Sequence, residues 1–95
     1  MSTATEKVAL ITDAQRAERF AQARSLARQG LHVVVAAPEW AKAVDAALRL
    51  QLEGLSAEAL QLERRDAAAL AAARQQIVRR HGHLDIVDDE ASLAL

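Results

Sequence analysis

Two short runs rich in β-branched residues, at 7–12 and 32–36, constrain this chain more than anything else in it. Each is too short for a self-sufficient helix and suits a strand buried on both faces, because Val, Ile and Thr pack well on a pleated surface. Between them Phe20, Ala23 and Ala27 recur at helical spacing, and Gly30 follows where a left-handed residue closes a last turn. The pattern predicts a helix over 15–29. Past the second run, Pro38 and Glu39 suit a first helical turn, and Val44, Ala47 and Leu48 form an apolar stripe that stops before Gly54, so a second helix is expected over 39–53. Residues 57–62 alternate as a strand does. Asp66 suits the N-cap of a helix over 67–80, with Leu70, Ala73 and Ile77 on one face and Gly82 at its end. A fourth short strand is expected over 84–87. The order βαβαβαβ implies parallel strands joined by right-handed crossovers, hence an α/β sandwich.

One domain accounts for 95 residues, and a chain of this size buries only roughly 60 to 65% of the surface it exposes when unfolded. Apolar residues make up 52% of the sequence, but Ala supplies 23 of them and the aromatics are only Phe20 and Trp40, so the core is thin. Lys and Arg number 12 against 13 Asp and Glu, a net charge of −1 that provides no field for nucleic acid or an anionic bilayer. Cysteine is absent, which removes disulfides, thiolate nucleophiles and Cys-type zinc sites and fits a reducing, cytoplasmic setting. Residues 1–7 lack an apolar targeting core, and no apolar run, 33–37 included, is long enough to span a bilayer.

Four segments match, in order and spacing, the N-terminal half of a short-chain dehydrogenase/reductase. They are Lys7-Val8-Ala9-Leu10-Ile11-Thr12, Leu26-Ala27-Arg28-Gln29-Gly30-Leu31-His32-Val33-Val34-Val35, Glu53-Gly54-Leu55-Ser56-Ala57 and His81-Gly82-His83-Leu84-Asp85-Ile86-Val87. The chain resembles that family over nearly its whole length. The resemblance implies a three-layer Rossmann-like fold with a four-stranded parallel sheet in the order 3-2-1-4, as one truncated domain spanning 1–95. It also implies a Thr-Gly-x-x-x-Gly-x-Gly turn after the first strand, whose glycines let the backbone approach a cofactor pyrophosphate at a helix N-terminus. Here those glycines are replaced by Asp13, Ala17 and Arg19. Asp13 brings a carboxylate towards the phosphates, and Arg19 brings a long side chain into space that a missing Cβ leaves open.

The other family positions are altered as well. Ala37 and Pro38 stand where an acidic residue would hold the ribose hydroxyls or a basic one the 2′-phosphate. Glu63 replaces the family's adenine-contacting Asp, and Asn-Asn-Ala-Gly after the fourth strand falls on Asp89, Glu90, Ala91 and Ser92. The family's catalytic Ser and Tyr-x-x-x-Lys fall after residue 95, and the sequence has no Tyr. The expectation is a non-catalytic protein of this type with no bound cofactor. The alternatives are a nucleotide, anion or divalent-cation module at the former cofactor site, and, more remotely, an NAD(P)-dependent oxidoreductase completed by a partner chain.

Several constellations are weighed against plainer roles. Asp13, Asp88, Asp89 and Glu90 would gather at the C-terminal ends of the first and fourth strands, where oxygen ligands suit a hard cation, or they simply keep strand ends solvated. His81 and His83 with Asp85 suggest a zinc site, although the segment coincides with the ordinary helix-to-strand turn. Arg16 and Arg19, near the N-terminus of a helix made basic by Arg24 and Arg28, suit an anion or a solvated face paired with Asp13 and Glu18. Trp40 is a helix-packing residue or an exposed interface anchor, with packing preferred. No Ser has a paired base or a nucleophile-elbow context.

The resemblance also bears on partners. One helix about 10 Å wide does not cover four strands spaced about 4.8 Å apart, and later family elements would cover that face and pair the outer edge of the fourth strand. The sequence therefore predicts a homodimer, or a complex with a full-length relative, formed through Ile86 and Val87 of the fourth strand, the third helix, or the tail containing Leu93 and Leu95.

Overall fold

A computed structural model describes residues 6–64 and 66–89. Its elements are β1 (Val8–Ile11), α1 (Ala17–Arg28), β2 (His32–Ala37), α2 (Trp40–Leu52), β3 (Ala57–Gln61), α3 (Ala67–His81) and β4 (Ile86–Asp88). The four strands form one parallel sheet in the order β3-β2-β1-β4. This is the three-layer Rossmann-like arrangement.

Apart from the half-buried His32 that opens β2, the central strands are buried along their length, which explains their apolar character. Alternate residues serve the two faces. Ala9, Ile11, Val33 and Val35 pack under α1 and α2 with Ala23, Ala27, Ala46, Ala47 and Leu50. Val8, Leu10, Val34 and Ala36 pack under α3 with Ala73 and Ile77. Ala-rich helix faces let helix and sheet approach closely, and branched strand residues supply most of the buried volume. Among the described residues, no helix is long and apolar enough to cross a membrane.

Element ends follow local chemistry. The Asp66 carboxylate accepts the Ala69 amide at 2.8 Å and caps α3, while Gly82 closes that helix at φ 88°, a conformation costly for residues with a Cβ. Helix α1 begins at Ala17 instead of 15, because 13–16 form a tight turn in which the Arg16 amide donates to the Asp13 carbonyl. Helix α2 begins at Trp40, with Glu39 still extended, and β2 runs on to Ala37, opposite Gln61. Strand β4 is shifted to Ile86–Asp88. The Asp85 amide donates to the Val8 carbonyl while the Asp85 carboxylate accepts the Val8 amide, so a side chain replaces a strand carbonyl and ladder pairing starts one residue later.

Two packing expectations are corrected. The buried stripe of α2 is Ala43, Ala46, Ala47 and Leu50, and Leu48 is 50% exposed, so the helix is rotated from the phase read in the sequence. Trp40, at the first position of α2, is 53% exposed and does not serve as a packing residue.

Candidate functional site

Parallel α/β sheets bind ligands at the carboxyl ends of their strands, where neighbouring connections diverge. In this chain that point lies between β1 and β4. Strand β1 ends at Ile11, Thr12 follows fully buried, and Asp13 turns the chain at φ 52°, in the left-handed region that Asp tolerates better than most residues. The Ala14 amide then donates to the Ala36 carbonyl at 2.9 Å and ties the turn to the end of β2.

Arg19, in the first turn of α1, sends its side chain back across this gap and is 5% exposed. Its Nε donates to the Thr12 carbonyl at 3.0 Å and its Nη2 to Thr12 Oγ1 at 3.3 Å. Its Nη1 donates to Asp88 Oδ1 at 3.0 Å, and Nη2 also donates to the Asp88 carbonyl. Thr12 Oγ1 in turn donates to Asp89 Oδ1 at 3.0 Å. A buried guanidinium thus ties the ends of β1 and β4 to the start of α1. A cation at a helix N-terminus opposes the helix dipole, and Asp88 supplies the compensating charge.

The other residues singled out in the sequence are placed as follows. Arg16 pairs with Glu18 at 2.7 Å on the surface, and the Glu18 carboxyl is held below its ordinary value by a backbone hydrogen bond first and Arg16 second. Ala17 opens α1, exposed; Ala37 is buried at the end of β2, and Gln61 Nε2 reaches the Pro38 carbonyl at 3.1 Å and Glu63 at 3.2 Å. Arg24 and Arg28 both pair with Glu53 beyond α2, which brings that side of α1 against α2. Asp88 and Asp89 are engaged by Arg19 and Thr12 as described. Ile86 is 37% exposed and Val87 half-buried. Glu90, Ala91, Ser92, Leu93 and Leu95 lie outside the described residues.

The joint zinc reading of His81, His83 and Asp85 is corrected. His83 Nδ1 meets Asp85 Oδ2 at 2.7 Å, whereas His81 turns the other way and meets Glu58 Oε1 at 2.8 Å. Gly82, in its left-handed conformation, separates the two imidazoles. His32 Nε2 reaches the same Glu58 oxygen at 2.7 Å, giving a His32–Glu58–His81 cluster that sequence reading missed. The available signal was an imidazole at the first position of β2 and an acid at the second position of β3.

The Glu58 carboxyl lies below its ordinary value. Burial, the largest single influence, pushes it up, but hydrogen bonds from His32 and His81 together with the Arg80 charge outweigh burial. The Asp85 carboxyl is also lowered, first by the Val8 amide and then by His83 against a partial loss of hydration.

Comparison with known proteins agrees with this architecture. The family model for short chain dehydrogenases matches residues 7–94. A protein assigned as a monensin polyketide synthase ketoacyl reductase from Streptomyces virginiae is 35% identical over 91 residues, 96% of this chain and 35% of that protein. Menthone neomenthol reductase from Mentha piperita superposes with a TM-score of 0.76 at 30% identity, over 88% of this chain and 31% of its own. A metagenomic short-chain oxidoreductase in complex with NADP gives 0.77 at 28% identity, covering 85% of this chain and 37% of that one. The chain therefore spans about a third of the length of these relatives. With the fold, the strand order and the sequence match in agreement over almost all of its length, the chain belongs to the short-chain dehydrogenase family.

Proposed function

We propose that these 95 residues form a short-chain dehydrogenase unit that does not itself transfer hydride, and that it works in the cytoplasm by associating with protein, in the first instance a second copy of itself. The observation carrying this reading is Arg19. In the family pose a dinucleotide needs open backbone at the β1–α1 turn, and here the turn holds a buried guanidinium, hydrogen-bonded to Thr12 and Asp88. Releasing that side chain breaks a buried ion pair, at a cost that pyrophosphate contacts must first overcome. Association is supported by the outer side of β4, which has no neighbouring strand among the described residues and presents the exposed Ile86.

Two measurements on the same preparation test both halves of the proposal. Fluorescence titration with NADH and NADPH is expected to show no saturable binding, and sedimentation velocity is expected to show a dimer. Micromolar uptake of either nucleotide refutes the first half. A folded monomer at high micromolar concentration refutes the second.

A further inference from the structure

The cluster of His32, Glu58 and His81 lies at the opposite end of the sheet from Arg19. His32 opens β2 and Glu58 is the second residue of β3, both at the amino-terminal edge and on the α3 side, while His81 is the last residue of α3. Parallel strands with a crossover helix bring the end of the helix back to the start of the strands, so the topology itself assembles the three. They are separated by 26 and 23 residues in sequence.

We propose that these side chains form a zinc site with two imidazole nitrogens, one carboxylate oxygen and an open fourth position. The donor set of two His and one Glu is one that suits Zn²⁺. One ligand atom from each residue lies within 4.8 Å of the others, and the two imidazole Nε2 atoms approach a single Glu58 oxygen at 2.7 and 2.8 Å. Ligands about 2.0 to 2.2 Å from a tetrahedral metal stand about 3.4 Å apart, so insertion requires each His–Glu contact to open by about 0.6 Å. Zinc then takes the place of the two N–H hydrogens that otherwise point at the carboxylate.

The surroundings suit that exchange. On zinc binding His32 takes the other tautomer: Ser56 Oγ, 2.6 Å from His32 Nδ1, then accepts the Nδ1–H and leaves the Nε2 lone pair for the metal. Arg80 Nη1 holds the other Glu58 oxygen at 3.1 Å, which orients the carboxylate with Oε1 inward. The Arg80 charge opposes a second cation, but its side chain is 59% exposed, so solvent screens it. The ligand side chains retain 13%, 20% and 25% exposure, enough for zinc to enter and for a water to complete the coordination.

The test is calorimetric titration of the untagged 95-residue chain with zinc chloride at neutral pH, repeated with cobalt(II) followed by its visible absorption. One equivalent is expected to bind with a dissociation constant of micromolar or below. His81→Gln and Glu58→Gln should each weaken binding more than about tenfold and abolish the tetrahedral cobalt spectrum, while His83→Gln should leave both unchanged. His81 ends its helix near the surface, so His81→Gln keeps the test decisive even if Glu58→Gln perturbs folding, as checked by circular dichroism. Failure of the wild-type chain to take up zinc overturns the assignment. So does uptake that is indifferent to His81→Gln, or uptake that is lost with His83→Gln.

Discussion

Replacing Arg19 by Met keeps most of the aliphatic stem and removes the guanidinium that joins β1, β4 and α1. Four hydrogen bonds disappear, two to Thr12 and two to Asp88, and the Asp88 side chain, 12% exposed, is left without its cation. Breaking a buried pair by removing one partner costs about 3 to 5 kcal/mol. Because Asp88 retains some access to water, the lower end, about 3 kcal/mol, is expected. That is a large share of the roughly 5 to 14 kcal/mol typical of a domain this size. In urea, with a slope of about 1.5 kcal/mol per M, the unfolding midpoint should fall by about 2 M. Asp88→Asn should be less damaging, and the double variant should be more stable than additivity requires by about 1.5 kcal/mol or more. A loss under about 1 kcal/mol for Arg19→Met with no coupling to Asp88 would refute the reasoning: the guanidinium would then be solvated and the turn open.

Other expectations follow from the same geometry. Gly82→Ala meets no atom within 4 Å but forces a Cβ into the left-handed region, so it should cost about 1 to 2 kcal/mol in chemical denaturation. Asp66→Ala removes the α3 cap and should cost about 1 kcal/mol, visible as a lower thermal midpoint. Leu10→Ala, fully buried between β1 and α3, should cost about 2 to 5 kcal/mol by the same assays. The Glu58 carboxyl titrates below its ordinary 4.5 in the folded chain, so its contribution is complete above that pH and is lost as pH falls through the lower, folded value. Stability measured from pH 6 to 3 should therefore fall less steeply for Glu58→Gln than for the unaltered chain, and an equal slope would argue against the cluster.

Much of the fold is legible in the sequence because the determinants are local. The branched runs of β1 and β2 are buried on both faces and read as uninterrupted apolar strings, and Gly30, Gly54 and Gly82 all take positive φ where a helix ends. The rotation of α2 is less legible, since its Ala, Val and Leu residues are spread around the helix and offer more than one apolar face, and packing against β2 and β3 selects the one that leaves Leu48 and Trp40 outside. The loss of glycines at Asp13, Ala17 and Arg19 is evident from residue types alone. Where the Arg19 side chain goes is not, because its partner Asp88 lies 69 residues away and only the β1–β4 pairing brings them together. The zinc candidate was hidden for the same reason: His81 reads as part of a turn with His83, and only the return of α3 over the sheet turns it towards Glu58.

The central claim is that Arg19 closes the turn at which this family would receive pyrophosphate. It is tested most directly by following the backbone amides of residues 12–19 in two-dimensional ¹H–¹⁵N NMR spectra as NADPH is added to millimolar concentration. Resonances of that turn are predicted to stay in place. Saturable shifts confined to it would contradict the account.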